Sequence, residues 1–111
     1  MNSIKEHKEY YPNGNLYIHY YLKLGQLTGD YIENYNDGSK YIRFNLINGR
    51  ISGKFKIFYQ NGYMMWDYHY INNIKQGRCK SYFRKNGKLH SHSYYNKNVI
   101  EGIQIYLGKG L

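Results

Sequence analysis

The sequence predicts an all-β chain: one elongated, twisted antiparallel β-meander of tandem hairpin repeats, each about 24 residues long. Three observations carry this. Four Asn-Gly or Asp-Gly pairs, ending at Gly14, Gly38, Gly62 and Gly87, recur at spacings of 24, 24 and 25 residues. A second glycine series, Gly29, Gly53, Gly77 and Gly102, runs between them at the same spacings. Tyr is the dominant large side chain, 16 residues against 4 Phe and 1 Trp. Its ring suits a half-buried pleated surface while its hydroxyl reaches water. Phased series at one period are the signature of a repeat array.

The elements follow from these series. Residues 1–111 form a single repeat domain, with units at about 5–28, 29–52, 53–76 and 77–101 and a C-terminal cap at 102–111. The first strand of each unit is expected to open at its glycine: Gly29 to Tyr35, Gly53 to Tyr59, Gly77 to Phe83. The Asn-Gly or Asp-Gly pair then makes a primed turn, the strongest short-range hairpin signal. A second strand follows with period-two alternation. Leu16, Ile18 and Tyr20, Lys40, Ile42 and Phe44, Met64, Trp66 and Tyr68, and Leu89, Ser91 and Ser93 share one, mainly apolar face. Tyr17, His19 and Tyr21, Tyr41, Arg43 and Asn45, Met65, Asp67 and His69, and His90, His92 and Tyr94 share the other. This is a sheet with one better-buried face. Four residues before each second-series glycine stand Gly25, Gly49, Asn73 and Asn98, residue types that accept positive φ. The longer last interval places one extra residue in the Arg84-Lys85-Asn86 approach to its turn.

Composition narrows the function. A chain of 111 residues buries a thin core. The single Cys79 forms no internal disulfide, and no spacing resembles a zinc site. Met1 to Tyr10 lacks the apolar core of a signal peptide, and no run reaches the length of a membrane span. The expectation is a soluble, cytoplasmic chain, with peripheral membrane association left open. The net charge of +9 attracts acidic proteins, anionic lipid or nucleic acid. The Lys and Arg are spread along the chain, whereas a nucleic-acid site clusters them. Abundant Lys, Asn, Ile and Tyr also fit AT-rich coding, so charge alone names no partner.

The motif residues Tyr10-Tyr11-Pro12-Asn13-Gly14, Tyr35-Asn36-Asp37-Gly38, Phe58-Tyr59-Gln60-Asn61-Gly62 and Tyr82-Phe83-Arg84-Lys85-Asn86-Gly87, with the second glycine series, resemble the MORN-repeat family. They are most similar to its variant of the antitoxin-like and large-virus type. The resemblance spans about Lys5 to Tyr106, with Lys5 where a unit would open on glycine and a truncated last unit. It implies an elongated hairpin meander, a role in assembly, membrane association or partner binding, and no transferable catalytic residues.

Candidate sites divide accordingly. No paired acid and base, activated nucleophile or phosphate-cradling loop is readable, so no enzyme, cofactor or metal is expected. His90 and His92 share a strand face, but His69 stands two strands away, about 9–10 Å. Cys79 aligns with His7, Tyr31, Phe55 and Gln104 and reads as a packed side chain. The candidate interaction face is Tyr17, Tyr21, Tyr41, Arg43 and Tyr94, interleaved with Lys54, Lys56, Lys80 and Arg84. Its expected occupant is a protein partner or a second copy; anionic lipid and nucleic acid are the alternatives. The last strand has no charge from Gly102 to Leu107, which makes Ile103, Ile105 and Leu107 a candidate docking edge.

Overall fold

The computed structural model describes residues 3–106. It is all-β, with strands β1 (Ile4–Tyr10), β2 (Leu16–Lys23), β3 (Gln26–Asn34), β4 (Lys40–Ile47), β5 (Arg50–Phe58), β6 (Met64–Ile71), β7 (Ile74–Lys75), β8 (Gly77–Tyr82), β9 (Leu89–Asn96) and β10 (Val99–Ile105). All pair antiparallel in one open sheet in chain order, and β7 and β8 are two halves of one lane broken at Gln76. The molecule measures 53 × 37 × 11 Å, so it is one sheet thick. β1 and β10 are its two edges.

The two rims are built from different turns, and the Asn-Gly and Asp-Gly rim does not carry the turn expected there. The Asn-Gly and Asp-Gly turns are not primed. The Gly14 amide donates to the Tyr11 carbonyl at 2.9 Å and the Tyr11 amide to the Asn15 carbonyl at 2.8 Å. Within this loop only Gly14 has positive φ, at 93°. That is a three-residue loop, a type I turn followed by a glycine bulge; it recurs at Tyr35–Ser39 and Tyr59–Tyr63. Asn13, Asp37 and Asn61 precede their glycines because each side-chain oxygen accepts the amide two residues on, at 2.9–3.0 Å. The fourth loop holds the extra residue, and its Gly87 amide reaches back four residues to Phe83. The primed turns lie on the opposite rim, at Leu24-Gly25, Asn48-Gly49, Asn72-Asn73 and Lys97-Asn98, where both central residues have positive φ.

Strands therefore start straight after these primed turns, three residues before Gly29 and Gly53. Those two glycines do not open strands. They lie in bulges, where Thr28 to Ile32 spans four positions against two from Tyr21 to His19, and Ile51 to Phe55 spans four against two. Gly77 does open β8, but only because the lane breaks before it. Gly102 departs from the series. It lacks the left-handed φ of the other three, and only one extra residue, Glu101, bulges in β10. A one-residue slip inverts every side chain. Gln104 thus pairs with His92 and leaves the face of Phe55 and Cys79, while Ile103 and Ile105 turn onto it.

Directly opposed residues share a face, which defines two surfaces. On the ring face a stack crosses the sheet: His7–Tyr20, Tyr20–Tyr31, Tyr31–Phe44, Phe44–Phe55 and Phe55–Tyr70, with centroids 4.6–6.1 Å apart. Such pairs add about 0.5–1.5 kcal/mol beyond their buried area. The few buried apolar side chains, Leu46, Ile57 and Cys79, lie among these rings. On the other, basic face a row runs Lys8, His19, Ile32, Arg43, Lys56, Asp67, Lys80, His92, Gln104.

The loop rim is tied together by tyrosines. The hydroxyls of Tyr11, Tyr35 and Tyr59 donate to the carbonyls of Asn34, Phe58 and Tyr82, each 23 residues on, at 2.6, 2.6 and 2.8 Å. Phe83 ends the series without a hydroxyl, packed edge-on against His90 at 4.7 Å.

Candidate interaction face

Tyr17, Tyr21, Tyr41, Arg43 and Tyr94 all project from the basic face, but they do not form one patch. Tyr17 and Tyr41 pack, with tilted rings, against the latch residues Tyr11 and Tyr35 at 4.7 and 4.8 Å. Tyr21 lies against His19 at 5.0 Å and beside the Gly29 bulge. The Arg43 guanidinium is internally engaged. It donates to the carbonyls of Glu33 and Ile42 at 2.8 and 2.7 Å and to Asn34 Oδ1 at 2.6 Å, and burial lowers its pKa. Of the five, only Tyr94 is broadly exposed.

The available charge sits elsewhere on the same face. Lys54 and Lys56 on β5 and Arg78 and Lys80 on β8 occupy the first and third positions after their glycines. Residues two apart on a strand lie about 7 Å apart, and alternate lanes about 10 Å. The four cations thus outline a rectangle centred on Asp67 and His69 of β6. Both ion pairs among the described residues lie far from it, His7–Glu9 and His19–Glu6 at 2.9 Å. A shallow groove of about 460 Å³ borders Lys54 and Lys56 and is shared with Asp30, Arg43, Asn45 and Ser52. A second, of about 310 Å³, runs between Arg78, His92, Tyr94 and Gln104. Arg78 was readable as the repeat equivalent of Lys54. Arg84 instead lies in the fourth loop, where its carbonyl accepts from Asn61 at 2.8 Å.

Among the described residues no three His, Cys, Asp or Glu side chains converge as metal ligands. His69 meets the Gln76 carbonyl at 3.0 Å, and His90 meets Ser81 Oγ at 3.2 Å. Cys79 is 2% exposed, and burial raises its pKa, which keeps the thiol protonated. No helix among the described residues is long and apolar enough to cross a membrane.

At the C-terminal edge every residue of β10 is exposed, Ile103 and Ile105 at 59% and 57%. Leu107 lies outside the described residues. No family model, curated protein or solved structure matches the chain.

Proposed function

We propose that the chain is a non-catalytic binding module whose basic face engages an acidic surface of a protein partner. The observation that carries this is the Lys54, Lys56, Arg78, Lys80 rectangle, which makes no ion pair among the described residues and lies on a one-layer sheet. Asp67 decides the kind of partner. It stands directly between Lys56 and Lys80, so a continuous phosphate string or a lipid surface laid across the cations meets a carboxylate at its centre. A folded or peptidic acidic surface matches a mosaic by placing its own positive group or a hydrogen-bond donor there. Tyr94 beside Arg78 supplies the rigid aromatic anchor that protein interfaces favour.

Selection of displayed peptides on the intact chain, beside vesicles of anionic lipid and a single-stranded oligonucleotide, tests the reading. Expected are acidic peptides that bind the parent and lose at least tenfold in affinity when Lys54, Lys56, Arg78 and Lys80 all become Ser. Steeply salt-dependent binding of the vesicles or the oligonucleotide, with no peptide enriched, would replace the protein partner by a lipid or a nucleic acid.

A further inference from the structure

The ring face has the opposite problem: it is apolar and central, and no element among the described residues covers it. Domains bury such a face against a second layer, yet this sheet is 11 Å thick. A compact monomer of 13.4 kDa exposes about 6,500 Å², whereas this chain exposes 7517 Å². The excess of about 1,000 Å² is the exposure that goes with a flat, one-layer shape. Trp66, the only tryptophan, is 39% exposed in the middle of this face. The register slip in β10 turns Ile103 and Ile105 onto the same face, three lanes away at the sheet edge.

We infer that the ring face packs on the ring face of a second copy, giving a two-layer sandwich with the basic faces outward. Charge selects the occupant. A chain of net charge +9 repels its copy wherever basic faces meet. On the ring face the charged groups of β3 to β7 are already engaged. Lys40 lies over the Phe58 ring at 5.8 Å, Lys75 lies over Tyr68 and Tyr95 at 5.2 and 5.0 Å, and Glu33 accepts from the Tyr31 hydroxyl at 3.1 Å. Footprint is sufficient: a 53 × 37 Å sheet offers more than twice the roughly 800 Å² a stable interface takes from each partner. Edge pairing fits less well. β1 and β10 are both first strands of a hairpin, so an edge-to-edge junction never reproduces the first-to-second strand pairing used inside the array. Lys5, Glu6, Lys8 and Glu9 further charge the β1 edge.

Sedimentation velocity and Trp66 emission, followed over one dilution series from micromolar to millimolar chain, test this. The expected result is a doubling of mass accompanied by a blue shift of the tryptophan emission. Trp66→Lys raises the dimer Kd by about thirtyfold or more, the loss typical of an interfacial tryptophan; Ile103→Lys, at a more exposed position, acts in the same direction. Tyr94→Lys, on the basic face, leaves the dimer intact. Two results overturn the inference: a monomer throughout the series, or a dimer that forms with unchanged Trp66 emission and survives both ring-face substitutions. The second result assigns self-association to an edge strand. Neither touches the basic-face reading, because Trp66 and Ile103 lie on the other side of the sheet.

Discussion

Tyr35→Phe isolates one latch of the loop rim. It keeps the ring that packs against Tyr41 and removes only the hydroxyl that donates to the Phe58 carbonyl at 2.6 Å. Burial raises the Tyr35 pKa, so the hydroxyl is partly withdrawn from water and its loss is incompletely repaired by solvent. A hydrogen bond of this kind contributes about 1 kcal/mol net, and an abandoned part-buried carbonyl pushes the loss to about 1.5 kcal/mol. Unfolding entropy is about 2.1 cal/mol/K per residue, so over 111 residues 1 kcal/mol corresponds to about 4 °C in Tm. Thermal melts followed by circular dichroism should therefore fall by about 4–6 °C. Tyr59→Phe behaves alike. The double variant falls by about the sum, because each latch bridges a different pair of neighbouring units. Tyr10→Phe, at a residue 58% exposed, is the control and should not move. If Tyr35→Phe shifts no more than Tyr10→Phe, the ladder does not bind the units together and the reasoning fails.

Three more outcomes follow. Gly53→Ala should cost about 1–2 kcal/mol, because φ is +94° and open space around it does not relieve the backbone; Gly102→Ala, without left-handed φ, should leave the chemical denaturation midpoint unchanged. The Asp37 carboxyl is held below its ordinary pKa first by the hydrogen bonds from Ser39 and then by Gln60, so its contribution is present above the ordinary carboxylate value and lost as pH falls through the lower folded value. Asp37→Asn keeps the oxygen that accepts from the Ser39 amide but loses the charge and the second oxygen, which accepts from Gln60 Nε2 at 3.3 Å, so it should melt below the parent at neutral pH and converge with it at strongly acid pH. The Cys79 thiol should resist a thiol-specific reagent in the native chain and react fully in denaturant, as a residue 2% exposed with a raised pKa requires.

The period, the hairpins and the two chemically distinct faces were legible in the sequence, even though the type of the Asn-Gly turns was not. The reason is geometrical. The three-residue loop at Pro12 to Gly14 comes with a bulge at Glu9/Tyr10, and beyond it Glu9 pairs with Ile18, the register a two-residue turn would give. An incorrect turn type therefore left Ile18, Ile42 and Trp66 on the expected face. The tyrosine latches were legible only as rings: nothing local says that a hydroxyl reaches a carbonyl 23 residues on. Arg43 shows the same limit. As a lone cation among tyrosines it reads as a ligand group, but the acceptors that engage it are backbone carbonyls and Asn34, which acquire their position only when β3 and β4 pair.

The C-terminal unit shows where periodicity stops being a guide. Glycine spacing aligns Gln104 with Phe55 and Cys79, but the local pattern Ile103-Gln104-Ile105 puts apolar groups on the alternate positions. Two rules then conflict: the repeat register places Gln104 on the ring face, and period-two burial places Ile103 and Ile105 there. The slip at Glu101 follows the local pattern: it sets Ile103 and Ile105, both still exposed, on the ring face and turns Gln104 onto the basic face beside His92. The neighbouring changes act in the same direction. Phe83 has no hydroxyl to latch onto a further unit, and the extra residue in the fourth loop alters the turn that a following unit would stack upon. In β10 the repeat pattern yields to local side-chain chemistry, and the result is a strand that extends the apolar ring face at the cost of the repeat's own register.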